Sequence, residues 1–189
     1  MIIAFSGPSG IGKGYVKERL LQLHPYIQEL TWFTTRPLRP DEQGRGNRIP
    51  VSVSEFNRRA DIGELVLVQD LFGHRYGLRG KDLFPTTDIR LTELHPNNVS
   101  EALRINPAVI TIGFVTSELP LLHKRLAIIR KTESSAEIEK RVAAADDEIR
   151  TILRQRSLFT SVVEISEATE RMVFKEVLAI LAPHLQKGG

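Results

Sequence analysis

Cysteine is absent from this 189-residue chain, which excludes structural disulfides and thiolate metal sites. No apolar run approaches the roughly 20 residues needed to cross a bilayer. Met1 already adjoins an apolar strand, so no leader is expected ahead of the fold, and the expectation is a cytoplasmic protein with no membrane contact. Charge of one sign is not in excess either: 26 Lys and Arg stand against 23 Asp and Glu, a net +3. Dispersed charge of that kind does not point to nucleic acid, but it is compatible with small anionic ligands. Repeats, low-complexity stretches and an interdomain linker are missing as well. The length therefore suits one well-cored domain with room for inserted lobes.

What the chain does have is glycine in one informative place. After the apolar strand Ile2–Phe5 come Gly7, Pro8, Ser9, Gly10, Ile11, Gly12 and Lys13. An amphipathic run follows at Val16, Leu20, Leu21 and Leu23. Glycines let a backbone curl so that several N–H groups point inward at phosphate oxygens. The helix beginning near Gly12 adds its positive end, and Lys13 reaches the outer phosphates. This is the P-loop pattern G-x4-G-K between strand and helix, with one departure: Gly14, then Tyr15, replace the Ser or Thr that binds Mg²⁺. Gly7–Tyr15 is the expected nucleotide-binding segment.

The remaining pattern alternates strands with helices. Strands are expected at Tyr26–Phe33, Val51–Val53, Leu65–Val68, Ile89–Leu94, Ala108–Val115 and Ser161–Ile165. Helices are expected at Ser54–Ala60 (capped by Ser54), Val99–Leu103, Leu119–Leu126, Ser134–Leu158 and Ala168–Leu185. Thr34–Asn47 reads as a polar loop and Gly73–Gly77 as a turn. Such alternation implies an α/β fold whose parallel sheet is covered on both faces. Ligands then sit at the carboxyl ends of the strands, where Gly7–Gly12 lies.

Several segments together resemble the guanylate kinase family. They are the P-loop, Thr34-Thr35-Arg36-Pro37-Leu38-Arg39-Pro40-Asp41-Glu42, Val51–Phe56, Gly63-Glu64, Gly73-His74-Arg75-Tyr76-Gly77, Phe114–Ser117, Arg125-Leu126 and Ser134–Arg141. The resemblance spans the chain and implies a P-loop three-layer sandwich with a mostly parallel five-stranded sheet. It divides the chain into a core (1–31, 82–123 and 142–189), an acceptor-binding lobe (32–81) and a lid (124–141). It implies ATP as donor with Mg²⁺, the metal held largely through phosphates and water and not by side chains. Arg36 and Arg39 would grip the acceptor phosphate, with Glu42, Arg48 and Tyr76 beside them. Two guanidinium forks on a short loop suit that task, because each matches phosphate oxygens bidentately. Lys13 and the lid arginines Arg125, Arg130 and Arg141 would carry catalysis by charge neutralisation. Ile128-Ile129 stand where the family tends to have glycine, and this lid is about one residue longer than common.

The base-reading positions depart from the family. Its small hydroxyl residue four before the clamp arginine is Trp32 here, its acidic strand residue is Leu67, and the Ser or Thr after Tyr-Gly is Leu78. Its phosphate-binding tyrosine is Arg48. Guanine asks for a carboxylate and a hydroxyl, and its polar edge buried against leucine costs roughly 1–3 kcal/mol per group. GMP is therefore expected to be a poor acceptor, and a phosphate-bearing acceptor other than GMP is expected in its place. Glu93 and His95 stand where the family has Asp-x-Asp. Glu93 would accept from the acceptor or else pair with a nearby arginine. His95 would meet metal-bound water or phosphate, or else be a satisfied loop histidine. Two other readings remain: a non-catalytic binding module of guanylate-kinase type, and a divergent true guanylate kinase. A monomer or homodimer is expected.

Overall fold

The computed structural model describes residues 1–38, 42–44, 47–129, 134–169 and 171–185. Its main sheet has five strands: β1 (Ile2–Ser6), β2 (Gln28–Glu29), β7 (Arg90–Leu94), β8 (Ile110–Val115) and β9 (Ser161–Glu164). Their order is β2-β7-β1-β8-β9, and every neighbouring pair is parallel. All residues of β1 and β8 are buried. That is the mark of central strands covered on both faces, which read as continuous apolar runs. The covering helices are α1 (Lys13–Leu23), α3 (Val99–Ile105), α4 (Leu119–Ile129), α5 (Ser135–Arg154) and α6 (Val173–Leu185). The expected α/β parallel-sheet fold is observed. No helix among the described residues is long and apolar enough to cross a membrane.

A second sheet comes from the middle of the chain: β3 (Trp32–Thr34), β4 (Arg48–Pro50), β5 (Leu65–Leu71) and β6 (His74–Arg79), in the order β4-β3-β6-β5. Helix α2 (Val53–Asp61) packs on it. Successive side chains of a strand face opposite ways. In β3 this sends Trp32 into the main core and Phe33 into a small separate core with Phe56 and Leu65. In β5 a register shift between Val66 and Gln69, with Leu67 at φ +53°, breaks the alternation. Leu67 consequently turns onto the main core, while Leu65 faces the small one.

Several sequence expectations need correction. Tyr26–Phe33 is two strands in different sheets, not one. The strand expected at Val51–Val53 lies at Arg48–Pro50, and Val53 already starts α2. The cap of α2 is Ser52, whose hydroxyl accepts from the Glu55 amide at 3.1 Å. The expected turn at Gly73–Gly77 is mostly strand β6, and α6 begins at Val173, not at Ala168. Helix α5 stops at Arg154 and a short 3₁₀ turn follows.

Candidate active site

Strand β1 runs into the glycine-rich turn at the carboxyl edge of the main sheet. The turn needs glycine at specific points: Gly7 (φ +147°), Gly10 (φ +82°) and Gly12 (φ +115°) adopt backbone that L residues avoid. A Cβ at Gly7 would lie 2.6 Å from the Phe114 carbonyl oxygen. Helix α1 then starts with Gly12 at its N-cap, no side-chain cap and no acidic residue in its first turn. Its leading N–H groups and positive end are left for an anion. Helices α2 and α5, by contrast, are capped by Ser52 and Ser134. These features fit nucleotide phosphates.

The turn opens on a cleft of about 1200 Å³. Ser9, Ile11, Gly14 and Tyr15 line it along with the three glycines, whereas Pro8 does not. Lys13 is buried, and its Nζ donates to the carbonyls of Gly7 (2.5 Å) and Pro8 (2.9 Å). A cation in this loop meets Glu93 from the end of β7, at 4.0 Å. Lys17, one turn along α1, closes on the same carboxylate at 2.9 Å and on Glu29 at 2.6 Å. Burial alone would raise the Glu93 carboxyl; the Lys17 and Lys13 charges, the Lys17 hydrogen bond and Arg48 outweigh it and hold the carboxyl at about 2. Burial works against the Lys17 ammonium too, yet Glu93 and Glu29 lift it above the usual lysine value. Among the described residues the ion-pair partners of Glu93 are lysines, and Arg48 adds its charge.

His95 follows β7 and lines the cleft. Its Nδ1 accepts from the Asn97 amide at 3.3 Å, which leaves Nε2 as the protonated nitrogen when the ring is neutral. Burial, then the Lys13 charge, lowers its pKa. Glu148 of α5 also lines the cleft; burial raises its carboxyl and Lys13 offsets part of that.

Across the cleft lies the guanidinium of Arg36. It donates from Nε to the Tyr76 hydroxyl at 3.2 Å, from Nη1 to the Pro37 carbonyl at 2.7 Å, and from Nη2 to both Glu42 carboxylate oxygens, each at 2.7 Å. Arg48 Nε stands 3.3 Å from Glu42, and its guanidinium lies 6.0 Å above the Tyr76 ring. Arg36, Glu42, Arg48 and Tyr76 therefore form one group around a single carboxylate. Arg125 of α4 donates to the Ile11 carbonyl at 3.0 Å, and Arg141 of α5 stacks on Phe72. Arg39 and Arg130 lie outside the described residues.

Trp32 lines the cleft, but its indole N–H is used on Thr92 Oγ1 at 3.0 Å. Leu67 and Leu78 are 4% and 0% exposed within the main core. Asn98 ties the β5 irregularity down: its Nδ2 donates to the Leu67 carbonyl and to Gln69 Oε1, both at 3.0 Å.

With this geometry in view, the relatives are informative. A guanylate kinase of Thermosynechococcus vestitus is 30% identical over 151 residues, 78% of each chain. The chain belongs to the guanylate kinase family. Another guanylate kinase of the family, from Symbiobacterium thermophilum, is 31% identical over 153 residues, 79% of this chain and 72% of that one. That of Gloeobacter violaceus is 28% identical over 182 residues, 93% and 88%. No family model matches the chain. Among solved structures, the guanylate kinase from Anaplasma phagocytophilum superposes with a TM-score of 0.71 at 21% identity, covering 97% of this chain and 85% of that one. A shikimate kinase from Acinetobacter baumannii shares the fold more distantly, with a TM-score of 0.54 at 14% identity over 97% and 93% of the two chains. The protein is a P-loop kinase of nucleotide or sugar-phosphate type, so the reading as a non-catalytic module is set aside.

Sequence reasoning missed Lys17, Gln69, Phe72 and Glu148, all of which line the cleft. Lys17 had a signal, four residues after Lys13 on one helical face. Glu148 had one as well, two turns after Arg141 on α5.

Proposed function

We propose that this kinase transfers the γ-phosphoryl group of ATP to a small acceptor that already bears a phosphate and is not GMP. The observation that carries this reading is the fate of the base-reading positions. Leu67 and Leu78 are buried in the main core, and the single polar atom of the Trp32 side chain is committed to Thr92. Guanine would meet neither a carboxylate nor a hydroxyl there, and unpaired polar edges lower kcat/KM by several powers of ten. The reading keeps Arg36 and Tyr76 as the phosphate grip, with Arg48, which replaces a family tyrosine, adding charge beside them. The acceptor-binding lobe is assigned to 32–81, the lid to 124–141 and the core to the remainder.

In this mechanism Gly10, Gly12 and Lys13 hold the β- and γ-phosphates. Arg36 and Tyr76 hold the acceptor phosphate, with Arg39 assigned beside them. An acceptor oxygen attacks the γ-phosphorus in line, the bond to the β–γ bridging oxygen breaks, and ADP departs with that oxygen. Arg125, Arg130 and Arg141 neutralise the charge that develops. Gly14 offers no hydroxyl, and no three His, Asp or Glu side chains converge among the described residues. Mg²⁺ would accordingly be bound through nucleotide phosphates and water and would supply charge neutralisation.

The names of the relatives favour a second reading, in which GMP itself is the acceptor. A phosphorylation screen with ATP–Mg²⁺ against GMP, other nucleoside monophosphates and sugar phosphates separates the two. Turnover of GMP at ordinary kinase rates establishes the second reading. Turnover of a sugar phosphate with GMP inert supports the first.

A further inference from the structure

Lys13 and Lys17 stand four residues apart on α1, so they share one helix face and repel. The acid that meets both is Glu93, at the end of β7. Lys13 Nζ lies 4.0 Å from Glu93 Oε2, too far for a hydrogen bond. Two of its donors go instead to the Gly7 and Pro8 carbonyls, and the ammonium stays within its own loop. The Lys13 and Glu93 side chains are only 10% and 29% exposed. Opposite charges that close and that sheltered attract strongly, because water and salt screen them poorly. Glu93 is therefore a rival to phosphate for the P-loop lysine unless another cation satisfies it.

Lys17 is that cation. Its Nζ is 2.9 Å from Glu93 Oε1 and 2.6 Å from Glu29 Oε1. Glu29 belongs to edge strand β2, the neighbour of β7, so the ammonium is tied to two adjacent strands. The Lys17 side chain is 12% exposed, which makes these sheltered pairs and not surface ones. Arg48 adds charge to Glu93, but it pairs with Glu42 at 3.3 Å. Without Lys17, Lys13 is the remaining lysine at Glu93. A shift of about 1 Å at the end of its flexible stem would bring it to hydrogen-bond distance.

We propose that Lys17 is a positioning residue for the donor nucleotide: by satisfying Glu93 it leaves Lys13 on the P-loop, available to the β- and γ-phosphates. This rests on the reading of Lys13 as the phosphate lysine.

The test titrates ATP–Mg²⁺ into the parent chain and into Lys17→Met, Lys17→Arg, Glu93→Gln and the double variant of Lys17→Met with Glu93→Gln. Lys17→Met is expected to raise the Kd by about 10- to 100-fold, the loss of one charge-assisted hydrogen bond. Lys17→Arg keeps a cation at Glu93 and stays within about 3-fold of the parent. Glu93→Gln removes the rival, so in the double variant the Kd returns to within about 3-fold of the parent. Were Lys17 merely packing α1 against β2 and β7, Glu93→Gln would add to the damage and not reverse it. A Lys17→Met protein that binds ATP as tightly as the parent overturns the proposal, as does a double variant as weak as Lys17→Met alone. Should Lys17→Met not fold, Lys17→Gln, which keeps an N–H donor without the charge, is held to the same two outcomes. If Lys13→Met alone leaves the Kd unchanged, it is the reading of Lys13 that fails.

Discussion

The ammonium of Lys17 lies 2.9 Å from a carboxylate oxygen of Glu93, and the other oxygen of that carboxylate is 4.0 Å from Lys13. Two lysines one turn apart on α1 thus share one acid from the end of β7. Each partly buried charge offsets the desolvation of its neighbour, so removing one member strands the others.

The Glu93 carboxyl, held at about 2 against 4.5 when unperturbed, makes a signed prediction. A depressed folded value contributes stability that is complete above about pH 5 and is lost as pH falls toward 2. The contribution is on the order of 3 kcal/mol. Urea unfolding from pH 7 to pH 3 checks it: Glu93→Gln should flatten the acid limb, and Lys17→Met should flatten it too while lowering stability at pH 7.

Glu148 predicts the opposite sign. Its carboxyl is raised by burial, so the folded state binds the proton more tightly than the unfolded chain does. Stability therefore falls as pH rises from about 4.5 through the raised value. Glu148→Gln should be more stable than the parent at pH 8, with the advantage vanishing below pH 4. Unfolding midpoints across that range decide it.

Arg36 donates from Nη2 to both Glu42 oxygens and from Nε to the Tyr76 hydroxyl, so three directions of its guanidinium are fixed with the Nη1 bond to Pro37. Arg36→Lys keeps the charge but loses the fork. Acceptor kcat/KM should fall by about 10- to 100-fold, with the KM for ATP unchanged. Steady-state kinetics with each substrate varied in turn reads the split.

Gly7→Ala places a Cβ 2.6 Å from the Phe114 carbonyl, in a backbone region L residues avoid. The expected cost is roughly 2–4 kcal/mol of stability, with nucleotide binding lost as the turn shifts. Denaturation and nucleotide titration on the same sample measure both.

The central strands and the P-loop were legible because β1 and β8 are buried on both faces and the glycines follow a pattern of spacing. Trp32 and Phe33 hid the boundary near them: both are apolar, yet they serve different cores, and two buried faces erase alternation. The turning of Leu67 depends on one positive φ, which no leucine announces. Phe72 and Glu148 reach the cleft from a hairpin tip and a helix flank, so only tertiary packing brings them together.

Lys13 spends two of its three donors on carbonyls of its own loop. Any ligand must first outbid those carbonyls. A nucleoside or a monophosphate whose charge ends short of the ammonium gives it nothing in exchange. The resting contacts of one lysine thus set a cost that only a phosphate within reach of its ammonium offsets.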